Sequence, residues 1–220
     1  FSKKILVPII IAVALLGGFL VWYFVINNNK TSPTPVLSET KAPDISTNFS
    51  LEEAPLESLK GAITNLEGDV KILGRIATEE ASLLNPSVKV QQGENYITGE
   101  DGNLSIVFEN ALKINIYENS EVDVIQTLPA AIVFSQVEGS ANYKKTGTYP
   151  ITVRTSYLLT EVDGDVDIER DTESYLVIAT VNFGDATFAY NDEDYMSHVI
   201  KAKAGQTFTF NYDTRQGVLE

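Results

Sequence analysis

Residues 5–26 form a run of 22 amino acids without a single charge, close to the start of the chain. A helix of this length spans roughly 33 Å, which is enough to cross the hydrocarbon core of a bilayer. Trp22 and Tyr23 stand near its outer end, where aromatic side chains favour the membrane interface. We therefore expect an uncleaved transmembrane helix over residues 5–26, so that any folded domain works on one side of a membrane.

The charges around this span predict its orientation. Lys3 and Lys4 precede it, whereas Lys30 is the only basic residue in the dozen that follow. Positive residues near a span favour the cytoplasmic side. We expect residues 1–4 to be a short cytoplasmic segment of a single-pass cell-membrane protein, with the C-terminal part extracytoplasmic. The chain begins with Phe1 rather than Met, which leaves open whether the N-terminus is truncated or processed.

Acidic residues dominate everything beyond the span. The chain has 30 Asp and Glu against 16 Lys and Arg, and every acid lies after residue 38. A surface of this charge repels nucleic acids and anionic lipids, so neither is an expected partner. The chain has no cysteine, which excludes disulfides, thiol catalysis and thiolate metal sites. We expect the exported part to be held together by its apolar core.

Residues 27–58 are polar and contain four prolines, at positions 33, 35, 43 and 55. A segment of this composition cannot bury enough apolar surface to fold, so we expect a flexible stalk. From residue 59 onwards the pattern changes to period two. Leu104, Ile106 and Phe108 alternate with polar neighbours, and residues 112–116 repeat the alternation after a short break, which indicates a hairpin.

We therefore predict an all-β domain over residues 59–220, built of many short strands between Gly, Asn and Asp positions. Residues 76–84 are the best candidate for a short helix. An internal echo, Leu66-Glu-Gly-Asp-Val, recurs around three further glycines, Gly139, Gly164 and Gly184. A glycine within a strand commonly marks a bend or bulge. The repetition predicts sharply bent strands, in either a β-helix-like domain or a sandwich.

Several of these segments resemble the FecR-like domain family, extracytoplasmic all-β modules named for an iron-citrate signalling regulator. Residues 93–102 match the family's glycine turn G-D-x-I-x-T-G-x-D/S, and residues 117–121 follow a strand as its P-N-S/T-E element does. Looser matches lie at residues 133–139, 164–168 and 203–206. Departures include Glu118 in place of the usual Pro, Asn110-Ala111 in place of Asp-Gly, and Asp165 in place of Thr. The resemblance covers about residues 60–212.

The resemblance implies a membrane-anchored binding, scaffolding or signal-receiving module. Family members that regulate transcription carry a cytoplasmic anti-sigma segment before the membrane helix, so the ectodomain of such a signal transducer is one alternative. A second alternative is a pilin-like filament subunit, because processed type IV pilins begin with Phe followed by an apolar helix. Ile5, however, stands where that class has Glu.

No residue pattern predicts catalysis or cofactor binding. His198 is the only histidine and lies in a predicted strand without a nucleophile motif, so we assign no catalytic role to it. Asp163, Asp165 and Asp167 alternate along one strand, which leaves open whether this face binds calcium. As an EF-hand loop the segment lacks the required glycine and glutamate. We predict a non-enzymatic protein without cofactor, catalytic or metal site, whose partners are the membrane and another envelope protein or surface polymer.

Overall fold

A computed structural model describes residues 57–220, and this part of the chain is all-β, as predicted. The described residues do not include the predicted segments 1–4 and 5–26, or residues 27–56 of the predicted stalk. Within residues 57–220, no helix has the length and apolar character needed to cross a bilayer. Because residues 57–220 consist of strands and turns, the all-β class predicted from the period-two pattern is confirmed for this part of the chain.

Fifteen strands follow one another along the chain. Their bounds are β1 (Gly61–Glu67), β2 (Val70–Leu73), β3 (Ala81–Ser82), β4 (Lys89–Val90), β5 (Asn95–Thr98), β6 (Asn103–Phe108), β7 (Leu112–Ile116), β8 (Glu121–Leu128), β9 (Ala131–Lys145), β10 (Ile151–Thr155), β11 (Leu158–Asp171), β12 (Leu176–Asn191), β13 (Ser197–Lys203), β14 (Thr207–Asn211) and β15 (Gln216–Leu219). Neighbours are antiparallel except β9 and β10, which are parallel.

The hydrogen-bonded ladder folds over on itself into two facing sheets. Sheet 1 has the order β4-β1-β6-β7-β9-β11-β12-β14-β15, using the C-terminal halves of β9 and β11 and the N-terminal half of β12. Sheet 2 has the order β3-β2-β5-β8-β9-β10-β11-β12-β13, using the other halves of the three long strands. Of the two predicted architectures, the structure is the sandwich. The ladder is continuous because β9, β11 and β12 belong to both sheets.

The long strands cross between the sheets at the glycines of the echo. β9 bends at Gly139, β11 at Gly164 and β12 at Gly184, and the last two are direct cross-strand partners. The register also shifts beside this pair, between Asp165 and Val166, as expected for a bulge that bends a strand. The predicted bends are thus present. Most strands are short, as predicted, but these three are long, with 15, 14 and 16 residues.

Aromatic side chains from both sheets fill the space between them. Phe134 of sheet 2 lies between Phe108 and Tyr143 of sheet 1, at centroid distances of 5.9 and 6.0 Å. Phe188 of sheet 2 stacks on Phe208 of sheet 1 at 4.5 Å. These rings are fully buried, and aromatic pairs add about 0.5–1.5 kcal/mol beyond their area burial.

A buried amide also joins the two sheets. The Gln136 side chain on sheet 2 is fully buried, and its Nε2 donates hydrogen bonds to the carbonyls of Gly139, at 2.7 Å, and Ile168, at 2.9 Å. The Tyr143 hydroxyl donates to its Oε1 at 3.2 Å. Satisfied hydrogen bonds offset the cost of burying this amide, so Gln136 fixes the Gly139 bend against sheet 1.

The predicted short helix at residues 76–84 is absent. The segment consists of turns, bends and the two-residue strand β3. Ile76 is 95% exposed and Leu84 87% exposed, so their apolar spacing builds no buried face that a helix could use. Strands β3, β4, β5 and β15 were also not predicted, since two to four residues are too few to show a period.

The bend at Gly184 gives a test of the fold. Gly184 has φ +74°, and a Cβ there would clash with the Asp163 carbonyl oxygen and lie 2.9 Å from Gly164 Cα. Gly205 has φ +85° and open space around it. We expect Gly184→Ala to cost about 3 kcal/mol or more of unfolding free energy, from backbone strain and overpacking together, and Gly205→Ala about 1 kcal/mol from strain alone. Urea unfolding of both variants measures this difference, and equal losses would contradict the bend geometry.

Candidate functional site

Four hairpin turns gather at one end of the C-terminal half of the sandwich. β11 and β12 bend at the other end of this half, so their turns all point the same way. Sheet 2 contributes residues 156–157 and 192–196, and sheet 1 contributes residues 172–175 and 212–215. We call the side chains of these four turns the tip surface. Turns from opposite sheets face each other across it.

Each of the four turns holds a residue other than glycine in the left-handed region of backbone space. They are Ser156 (φ 54°), Tyr175 (φ 60°), Tyr195 (φ 60°) and Arg215 (φ 50°). This conformation costs a residue with a side chain on the order of 1–2 kcal/mol. The other two such residues in the described part of the chain are asparagines, which tolerate it. Strain of this kind persists where the surrounding structure holds it, and such residues cluster at functional sites.

Side-chain hydrogen bonds hold the turns in place. Asp171 Oδ1 accepts a hydrogen bond from the backbone N–H of Glu173 at 2.8 Å. Asn211 Oδ1 accepts from the N–H groups of Asp213 and Thr214, both at 3.0 Å. In the third turn, Asp192 Oδ1 accepts from the Met196 N–H at 2.8 Å. Such side-chain caps are the usual way in which Asp and Asn stabilise a turn.

The strained turns expose large side chains. Tyr195 is 79% exposed, Met196 64%, Tyr157 57% and Tyr175 51%. The rings are not independent of the turns, since Tyr175 packs edge-on against Tyr212, with their centroids 5.7 Å apart. The Arg215 guanidinium lies over the Tyr157 ring, 4.3 Å from its centroid. The tip surface is therefore an ordered group of aromatic and aliphatic side chains presented to solvent.

Two clefts open between facing turns. The first cleft, of about 380 Å³, lies between residues 192–194 of sheet 2 and residues 214–218 of sheet 1. The second cleft, of about 480 Å³, is lined by Tyr157, Tyr175 and Tyr212. Both volumes fall in the range of small-ligand sites, about 300–1,000 Å³.

His198 lies in β13, as predicted, and lines the first cleft. Its Nε2 is 2.7 Å from Asp192 Oδ2, and its ring stacks on Tyr190 at a centroid distance of 5.0 Å. The hydrogen bond from His198, followed by the one from the Met196 N–H, lowers the pKa of Asp192 below its ordinary value. Among the described residues no hydroxyl group hydrogen-bonds to His198, so it has the geometry of a turn support.

The predicted acidic face is divided by the Gly164 bend. Asp163 lies before the bend and pairs with Lys145 Nζ at 3.0 Å. Asp165 and Asp167 lie after it on sheet 1, and Asn142 Nδ2 donates to both, at 2.7 and 2.8 Å. Burial raises the pKa of Asp165, but donors that include Asn142 and a Lys amine at 3.0 Å outweigh it, and the pKa lies below its ordinary value. Amine and amide donors thus surround these carboxylates.

No three Asp, Glu or His side chains in residues 57–220 are placed together as a metal site would require. The tip surface was not among the predicted sites. Its signal in the sequence is a Tyr at a turn position that normally takes Gly or Asn, as in Ser174-Tyr175 and Asp194-Tyr195.

Tyr195 gives a test of the strained turns. Replacing Tyr195 by Gly removes the left-handed penalty, and little burial is lost because the ring is exposed. We expect Tyr195→Gly to be about 1 kcal/mol more stable than Tyr195→Ala. Both variants lack the Tyr ring, but alanine still has the cost of the left-handed backbone conformation. Chemical denaturation of the two variants measures the difference. A glycine variant no more stable than the alanine variant would contradict strain at this turn.

The Asp192–His198 contact predicts a pH effect. Because the folded protein lowers the pKa of Asp192, the stability from this contact is present at neutral pH and is lost as the pH falls through that lowered pKa. His198→Phe keeps a ring over Tyr190 and removes the donor. We expect the Asp192 titration midpoint, followed by carboxyl-carbon NMR, to rise in this variant toward the ordinary value of about 3.9. An unchanged midpoint would assign the shift to the backbone donors alone.

Comparisons with known proteins add a distant similarity. No protein-family model and no curated protein matches this sequence. Two crystal structures of a "putative anti-sigma factor" from Parabacteroides distasonis ATCC 8503 are similar to this chain with a TM-score of 0.48 and 12% sequence identity. Each match covers 57% of this chain and 58% of that chain. At this distance the similarity carries no argument about function, and the resemblance to FecR-like domains stays a prediction from the sequence.

Proposed function

We propose that this chain is a membrane-anchored, extracytoplasmic and non-enzymatic binding module, which receives a partner of the cell envelope at its tip surface. The observation that carries the proposal is the coincidence of backbone strain and an exposed aromatic side chain in two neighbouring turns. Tyr175 and Tyr195 each occupy a left-handed backbone position and leave more than half of the side chain in solvent. A chain selected for stability alone favours Gly at such positions.

The tip surface has the chemistry of a binding site on a β-sandwich. Recognition residues commonly lie on loops that a rigid scaffold positions. Tyr side chains supply large contact areas at low cost in conformational entropy, and Ser and Asn supply adaptable hydrogen bonds, as in antibody combining sites. Contacts at Tyr, Trp and Arg also tend to dominate interface energies. Tyr157, Tyr175, Tyr195 and Arg215 provide this combination within a few turns.

The turns rest on a rigid support. Tyr190 lies directly beneath the first cleft and packs against Phe210, with ring centroids 4.9 Å apart. Phe208 lies next to them, and both phenylalanines are fully buried. A surface held by such a core loses little conformational freedom when a partner binds, which favours affinity.

The apolar span over residues 5–26 and the stalk over residues 27–58 complete the proposal. We propose from its composition that the stalk behaves as a flexible coil; about 32 such residues have an r.m.s. reach of roughly 30 Å, so the domain would sample a layer of this thickness above the membrane. A partner in the same envelope would be met at a high effective concentration.

Site-specific photo-crosslinking in intact host cells tests the proposal. We expect a benzophenone amino acid at Tyr195 or Tyr175 to form a discrete adduct, and the same group at Glu109 to form none. Glu109 is exposed and lies in the β6–β7 turn, away from the tip surface. Equal labelling from all positions, or none from the tip, would contradict binding at this surface.

The same cells provide the control for the anchor. After alkaline carbonate extraction the full chain should stay with the membranes, and a variant without residues 5–26 should be released. Release of the full chain would contradict membrane anchoring while leaving the crosslinking result to be judged separately.

A further inference from the structure

We infer that the first cleft takes an arginine or lysine side chain from an extended peptide segment of the partner, with the peptide backbone pairing along the free edge of β13. This inference rests on the proposed function, because it names the chemistry of the partner at the same surface. It follows from three separate features: the shape of the cleft, its charge, and the unpaired strand that begins at its rim.

The first cleft is an open depression between the two sheets. Tyr190 forms its floor together with Gly217 of β15. A Cβ at Gly217 would clash with the Phe208 ring and lie 3.1 Å from the Tyr190 ring, so no side chain fills this part of the floor. Tyr190 is stacked against His198 and packed against Phe210, so the floor offers apolar surface to the aliphatic stem of an arginine or lysine side chain.

One wall of the cleft carries three successive carboxylates, Asp192, Glu193 and Asp194. Asp192 pairs with His198, whereas no ion pair between described residues involves Glu193 or Asp194. The Arg215 guanidinium on the opposite wall lies over the Tyr157 ring. Three carboxylates against this one guanidinium give the cleft an excess of negative charge, which favours a cationic group over phosphate and carboxylate ligands.

The rim of the cleft favours a peptide as the source of that cation. The exposed residues Tyr195 and Met196 follow the cleft residue Asp194 in sequence, and β13 starts at the next residue, Ser197. Among the described strands β13 pairs with β12 alone, so its other edge is open along seven residues. Open edges of this length are used to add a partner strand through main-chain hydrogen bonds. The exposed Val199 would contact an apolar residue of that strand.

The opposite flank of the sandwich lacks this opportunity. There the outermost strands are β3 and β4, each of two residues. Short edge strands are a common protection against unwanted pairing. At the far end of β13, Lys201 and Lys203 disfavour pairing with another strand because they are charged, and Lys201 Nζ pairs with Asp185 at 2.8 Å. The end of β13 beside the cleft has no lysine, so a partner strand would begin to pair there.

Fluorescence anisotropy with the full chain in neutral detergent micelles tests the inference. The probe is a labelled peptide that alternates arginine and valine. Two variants are compared, Glu193→Gln/Asp194→Asn at the cleft and Glu67→Gln/Glu109→Gln away from it. All four side chains are exposed and make no side-chain hydrogen bond or ion pair with any residue in 57–220, so both variants lose the same charge and no contact of the described domain.

We expect the cleft variant to bind the peptide about fivefold to tenfold more weakly and the matched variant less than about twofold more weakly, because only the cleft carboxylates contact the peptide. Replacing arginine by uncharged citrulline should abolish binding, and N-methylation of alternate peptide amides should weaken it by removing the donors to β13. Equal effects of the two variants would overturn the inference, since binding would then follow net charge. Undiminished binding of the N-methylated peptide, or equal binding of spermine, would overturn the assignment to a peptide.

The outcome can be separated from that of the proposed function. Crosslinking at Tyr195 in cells combined with no arginine–valine peptide binding would overturn the cationic-peptide inference and leave the tip surface as a binding site. Peptide binding that depends on Glu193 and Asp194, without any crosslink in cells, would support the chemistry of the cleft and contradict the proposed cellular role.

Discussion

The structure depends on the close approach of two backbones at Gly164 and Gly184. These residues are cross-strand partners, and β11 and β12 turn from one sheet into the other beside them. Because neither residue has a side chain, the two strands bend together and keep their hydrogen bonds on both sides of the corner. One continuous ladder therefore serves both sheets. The hairpin turns at the other end of the same strands are held by the full length of that ladder.

The stability of this ladder allows the strained turns of the tip surface to persist. Four turns hold a left-handed residue that carries a side chain, and each costs on the order of 1–2 kcal/mol. Compared with a net stability of about 5–15 kcal/mol for a typical domain, the sum is large. Buried rings such as Phe188 and Phe208, stacked across the two sheets, help to offset it. Stability and recognition are thus divided between the interior and one end of the molecule.

Much of the fold could be predicted from local patterns, because alternation along a strand is a local property. The hairpin of residues 104–116 and the bends at Gly139, Gly164 and Gly184 are confirmed. The choice between sheets was not predictable, since it depends on pairings such as Arg170 with Gly139 that no window of sequence contains. The helix at residues 76–84 failed because apolar spacing does not show whether a core is available. The tip surface was missed because φ is a property of the fold.

The buried amide of Gln136 has a consequence for how this chain avoids errors. Its sequence contains several similar Gly-centred segments, and alternating strands with similar patterns are prone to exchange partners during folding. A β9 displaced by two residues would keep the Gln136 amide on the interior face but move it away from the Ile168 carbonyl of β11, its one partner outside β9. A buried N–H left without an acceptor costs about 1–3 kcal/mol. Gln136 therefore favours the native register of β9, because a folded chain with β9 in a shifted register would be less stable.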